Sequence, residues 1–138
     1  MLPTTGPDPH PDAARRPSTG LRVGLDMVAV AELQASLDAF GERFVERLFS
    51  NAERADAGAV PSQRTRQLAA RFAAKEAAIK AFDLSEAGVS WRELEVRSDG
   101  RGGCRLHLHG RAAALAGAAE AALSLSHARE QVIAVVLA

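Results

Sequence analysis

The sequence predicts an α+β domain, a largely antiparallel sheet with packed helices. Three observations carry this: period-two alternation of apolar residues at both ends of the chain, two stretches with apolar residues every three or four positions, and a glycine-rich loop joining two further alternating stretches. With 138 residues the chain has the size of one domain. Its 47% hydrophobic and 25% charged residues are those of a globular protein, not of a disordered or collagen-like one. Lys and Arg number 17 and Asp and Glu 17, and this zero net charge argues against a nonspecific nucleic-acid binder. No apolar run approaches the roughly 18 residues of a membrane span. Pro and Asp stand where a secretory signal would be apolar, so neither membrane insertion nor export is expected. The single cysteine, Cys104, cannot make an internal disulfide or a cysteine-rich zinc site, which fits a reducing, cytoplasmic setting.

Five of the six prolines fall within the first seventeen residues, so residues 1–20 are expected to form a disordered tail and residues 21–138 the domain. Leu21, Val23, Leu25 and Met27 alternate with Arg22, Gly24 and Asp26, the pattern of a half-buried strand with Asp26 directed away from its apolar face. Leu33, Leu37, Phe40, Phe44 and Leu48 then form one stripe on a single helix of about four to five turns, closed by Gly58 and Pro61. A second helix is expected from about Arg64 to Phe82, rich in Ala, Arg, Lys and Glu. At about 100° per residue its Leu68, Phe72, Ile79 and Phe82 share one arc. Lys75 lies inside that arc, and Glu76 and Lys80 sit together on its flank. Leu94 and Val96, and then Cys104, Leu106 and Leu108, alternate with polar residues on either side of the Asp99-Gly100 and Gly102-Gly103 loop, a hairpin signature. An Ala-rich helix from Arg111 to Ala122 and strands around Leu123–His127 and Val132–Leu137 complete the chain.

Asp26 at a strand and Glu76 on a helix flank can point into one cleft if that helix crosses the sheet, and two carboxylates suit Mg²⁺, which completes its shell with waters and phosphate oxygens. An aspartate after a strand equally serves as a turn or cap residue, and Glu76 with Lys80 equally reads as an ordinary i,i+4 surface pair. Arg71, Lys75 and Lys80 can clamp a polyphosphate or form a solvated face, with Lys75 alternatively snorkelling out of its apolar arc. His127 ends Ser124-Leu125-Ser126-His127, where an imidazole can act as base or phosphate donor. His107 and His109 share a strand face without an evident third metal ligand. No glycine-rich phosphate loop, HExxH or nucleophile elbow is present.

Four segments stand in a recognisable order: Val23-Gly24-Leu25-Asp26, Arg43-Phe44 through Glu53, Arg71-Phe72-Ala73-Ala74-Lys75-Glu76-Ala77 with Lys80, and Ser124-Leu125-Ser126-His127. Together they resemble the holo-acyl carrier protein synthases, the small branch of the 4'-phosphopantetheinyl transferases, over nearly everything from Leu21 to Ala138. The resemblance implies transfer of the 4'-phosphopantetheine arm of coenzyme A to a serine of an apo acyl carrier protein of fatty-acid or polyketide type, with adenosine 3',5'-bisphosphate leaving. It also implies Mg²⁺ as cofactor, held by Asp26 and Glu76. Lys80 would bind the phosphates, His127 the nucleotide and phosphates of coenzyme A, and Arg71 and Lys75 the substrate or the site's support. The carrier's serine must also lose a proton, and Glu76, or a metal-bound water that it holds, is the candidate base, since a carboxylate beside Mg²⁺ can accept a proton locally. The family's small members are trimers with active sites between subunits, so a homotrimer is implied too.

The chain departs from the family at Ala29 and Glu32, where an acidic and a basic residue are usual. The basic one helps to dock an acidic carrier helix, which Glu32 would repel, so either the carrier is atypical or other arginines, such as Arg43 and Arg47, take over. Phe82-Asp83-Leu84-Ser85-Glu86 replaces the usual glycine turn after the lysine, and Gly102-Gly103-Cys104 the usual hairpin Gly-x-Pro. Two other readings of the residues are a noncatalytic module that binds coenzyme A or a carrier, and an oligomerisation domain.

Overall fold

The computed structural model describes residues 20–117 and 120–138, so the expected tail, Gly20 apart, lies outside the described residues. Strand β1 (Val23–Ala29) leads into helices α1 (Val30–Phe40), α2 (Glu42–Leu48), α3 (Asn51–Ala57) and the long α4 (Pro61–Phe82). After a 3-10 turn at Trp91–Glu93 come β2 (Leu94–Ser98), β3 (Cys104–Leu108), α5 (Gly110–Ala116), β4 (Ala122–Ala128) and β5 (Gln131–Leu137). One sheet has the order β1-β5-β4 and the other pairs β2 with β3, all antiparallel. This is the expected α+β class with antiparallel pairing, divided between two sheets.

The single helix expected over residues 33–48 is two. Gly41 adopts φ 69°, a left-handed conformation that ends α1, and its N–H bonds the Leu37 carbonyl. The apolar stripe survives the break, because the Phe40 and Phe44 rings still meet at 6.0 Å across it. Helix α3 was absent from the expected order. Its start is a capping box, in which the Ser50 hydroxyl accepts from the Glu53 N–H and the Glu53 carboxylate accepts from the Ser50 N–H. Helix α4 begins three residues before the expected Arg64, with Pro61 in its first turn where a missing N–H costs nothing. The Ala-rich helix stops at Ala116 rather than Ala122, closed by Gly117 at φ 70°.

A further correction concerns β1. Three of its apolar residues do not face the core: Val23 is 60% exposed, Leu25 56% and Met27 59%. The buried side of the strand carries Gly24, Val28 and the half-buried Asp26, and that side lies against α4. Helix α4 is the centre of the domain, packed on β1 and β5, with Ala69, Ala70, Ala73, Ala74, Ala77, Ala78 and Ala81 all buried. Small side chains let strand and helix backbones approach closely. A Cβ on Gly24 would lie 1.8 Å from the Ala77 carbonyl oxygen, so only glycine fits there. Among the described residues no helix is long and apolar enough to cross a membrane.

Candidate active site

The close contact between β1 and α4 brings Asp26 next to the second half of the helix. The Lys80 ammonium reaches back from α4 to the Asp26 carboxylate (3.0 Å to Oδ1) and the Leu25 carbonyl oxygen (2.9 Å). Lys80 therefore spans to the strand rather than serving only as a helix-surface partner of Glu76. Asp26, Glu76 and Lys80 line one cleft of about 360 Å³, together with Glu32, Ser36 and the apolar Met27, Val28, Leu33, Phe44 and Phe72. Larger depressions of about 570 and 670 Å³ lie along the β2–β3 hairpin and are lined by other residues.

Burial raises the Glu76 carboxyl pKa above its ordinary value, the neighbouring Asp26 charge raises it further, and Lys80 only partly offsets both. The pair is thus two carboxylates held close enough to repel, with hard oxygen donors, a setting that a divalent cation relieves. Among the described residues no group of three or more His, Cys, Asp or Glu is arranged to hold a metal ion. The donor set still fits Mg²⁺, which commonly uses one or two protein carboxylates and takes its remaining oxygens from water and substrate phosphate. In the metal-free protein we expect Glu76 to titrate above an ordinary glutamate, because burial and the Asp26 charge both disfavour its ionised form. Acidification then neutralises it earlier than an ordinary glutamate. Asp26→Asn should bring the midpoint down, as followed by carboxyl ¹³C NMR, and an unmoved midpoint would show that the two groups do not sense each other.

Other expected site residues are located elsewhere. His127 is an exposed residue of the outer strand β4, in register with Val132 and so with Val28, and does not line the cleft. Arg71 and Lys75, expected to bind substrate or to support the site, are both fully buried and do not line the cleft. Arg71 donates to the Val96 and Gln67 carbonyls, the Gln67 side chain and the Ser98 hydroxyl, which ties α4 to β2. Lys75 donates to the Leu48 carbonyl (2.7 Å), the Trp91 carbonyl (2.9 Å) and the Glu53 carboxylate (2.9 Å), using all three ammonium hydrogens. It neither snorkels nor faces the cleft. His109 lies 3.2 Å from Glu95, and Cys104 is half-buried.

The cleft's apolar wall was not singled out from sequence. Leu33, Phe44 and Phe72 stand in apolar stripes, and Phe44 and Phe72 also in the family segments, but neither pattern says which residues border an opening. Glu53 is likewise both a helix cap and the buried partner of Lys75. Its signal was the Ser50-x-x-Glu53 spacing.

The model of the 4'-phosphopantetheinyl transferase superfamily matches residues 22–136. A holo-[acyl-carrier-protein] synthase of Solidesulfovibrio magneticus is 43% identical over 119 residues, covering 83% of this chain and 94% of the relative. That of Halorhodospira halophila is 44% identical over 122 residues with the same two coverages. Among solved structures, a Chronobacterium ammoniagenes ACPS-CoA complex superposes with a TM-score of 0.75 at 35% identity, over 85% of this chain and 95% of that one. A Bacillus anthracis holo-(acyl-carrier-protein) synthase in complex with CoA (3',5'-ADP) gives 0.69 at 32%, over 84% and 93%. A match over nearly the whole domain, with the strand aspartate and helix glutamate at one cleft, leads to one conclusion: the chain belongs to the 4'-phosphopantetheinyl transferase superfamily.

Proposed function

We infer that this chain is a holo-acyl carrier protein synthase, moving the 4'-phosphopantetheine arm of coenzyme A onto a serine of an apo acyl carrier protein. The observation that carries the reading is the convergence of Asp26, Glu76 and Lys80 on one cleft with an apolar wall, in a chain whose relatives bear that name. The serine oxygen forms a bond to the β-phosphorus, the P–O bond to the nucleotide breaks, and adenosine 3',5'-bisphosphate leaves. Glu76, or a water that it holds, takes the serine proton, a carboxylate beside the reacting hydroxyl being able to accept it locally. Lys80, the more exposed end of its ion pair, turns from Asp26 to the phosphates and offsets their charge. Asp26 and Glu76 would hold the Mg²⁺, which would supply positive charge to neutralise the diphosphate. Leu33, Phe44 and Phe72 exclude water beside these groups.

We also propose that the working form is a homotrimer acting in the cytoplasm. Val23, Leu25 and Met27 pair across β1 and β5 with Leu137, Val135 and Ile133, giving an apolar sheet face that one chain leaves open. A second copy on that face would bring in a neighbour's strand end, and with it a route for His127 to another subunit's cleft. Leu25→Asp should lower the mass seen by light scattering to that of a monomer and reduce transfer, and a variant still trimeric and active would exclude this face.

The transfer itself is tested by intact-mass measurement of apo carrier proteins incubated with the chain, coenzyme A and Mg²⁺, with an EDTA control. A carrier heavier by one phosphopantetheine arm, only with the metal, is expected. Coenzyme A binding with no mass gain across fatty-acid, polyketide and peptide carriers would leave a binding module instead. Glu32 on the cleft rim repels acidic carriers, so a panel of carriers differing in helix charge is the suitable substrate set.

A further inference from the structure

The most unusual interior feature of the domain is an ion pair. Lys75 and Glu53 are both 0% exposed, 2.9 Å apart, and satisfied at every charged atom. The ammonium binds the last residue of α2, the 3-10 turn at Trp91 and the first turn of α3. Glu53 in turn accepts the Ser50 N–H and, through its other oxygen, the Val96 N–H of β2 at 2.8 Å. Three segments thus meet at one side chain of α4, and a fourth, β2, joins them through Glu53. The Lys75 ammonium also lies 5.2 Å from the centre of the Phe49 ring.

Stability alone does not account for this arrangement, because burying an ion pair costs desolvation of both charges and apolar replacements of such pairs are often neutral or stabilising. Helix α4 has a different need. Its buried surface is rich in alanines, which pack closely but project little, so how the helix is turned about its axis falls to its longer buried side chains: Leu68, Phe82, Arg71, which ties it to β2, and Lys75 beside Glu76. Lys75 directly precedes Glu76, and successive helix positions are rotated by about 100°, so fixing the direction of Lys75 fixes that of Glu76. We propose that the Lys75–Glu53 pair is a positioning device, setting the rotation of α4 so that the Glu76 carboxylate meets Asp26 across the cleft. Neither residue touches substrate. The proposal rests on the transferase reading for its effect on turnover, but its effect on cation binding stands apart from it.

The test compares the native chain with the doubly neutral variant Lys75→Met/Glu53→Gln, which leaves no unpaired buried charge. Mn²⁺ binding is read by loss of the free-ion EPR signal with coenzyme A present and carrier absent, so that no transfer takes place. In a variant with native circular dichroism we expect Mn²⁺ affinity to fall about 10-fold or more and kcat by about 10- to 100-fold, with KM for coenzyme A near its native value. If the pair only stabilises the fold, Tm falls while Mn²⁺ affinity and kcat of the folded protein stay native, which overturns the proposal. Should the double variant not fold, Glu53→Asp, which shortens the carboxylate by one methylene, is judged by the same two readouts. Absence of transfer by the native chain would overturn the transferase reading, while the Mn²⁺ comparison would still decide the positioning role.

Discussion

Glu76→Gln is expected to lower the rate of arm transfer by at least about 100-fold and to leave the fold intact. The amide keeps the size and the apolar contacts of the side chain but cannot take the serine proton and binds a hard cation poorly, and each loss alone is worth roughly that factor. Stability moves the other way. The carboxylate is partly desolvated beside Asp26, so its neutral replacement removes a repulsion and Tm stays level or rises slightly. The rate of carrier mass gain and a thermal melt, run on one preparation, give both readouts. Near-native turnover in a folded Glu76→Gln protein would remove Glu76 from the chemistry and with it the proposed base.

The second large effect is expected far from any charge. Gly24→Ala adds a methyl that would lie 1.8 Å from the Ala77 carbonyl oxygen and 2.8 Å from the Ala81 nitrogen, both backbone atoms of α4. No side chain can swing away to relieve this, so strand and helix must separate. We expect a loss of about 3 kcal/mol and a Tm lower by roughly 10 °C. The consequence for function is specific, because Gly24 lies two residues before Asp26 and its neighbour Ala77 directly follows Glu76. Separating the backbones there widens the carboxylate pair, so activity should fall even at temperatures where the variant is fully folded. Native activity in the folded Gly24→Ala protein would show that the cleft tolerates this displacement.

Much of the fold was legible because its signals are local. Gly102-Gly103 and Asp99-Gly100 marked the hairpin, and the Pro61 and Gly58 breaks marked the start of α4 to within three residues. The errors were at places where a local pattern had two outcomes. The stripe through Phe40 and Phe44 keeps its spacing across Gly41, so periodicity alone ran two helices together, and only the positive φ separates them. The Ala-rich run after Arg111 has high helix propensity throughout, yet Gly117 ends the helix within it.

Sequence by itself determined the family motif and the pairing of Glu76 with Lys80 on one flank of a helix, since a spacing of four residues fixes a shared face wherever the helix goes. It also determined that Gly24, Asp26 and Val28 share one side of β1 and Val23, Leu25 and Met27 the other. Tertiary structure alone decided which side is inside. A period of two says which residues face together but not what covers them, and here the alanine face of α4 took the side carrying glycine and aspartate. The same holds for Lys75. An isolated charge in an apolar arc is driven to water, and it became an interior residue only because Leu48, Trp91 and Glu53, remote in sequence, converge to take its three hydrogen bonds.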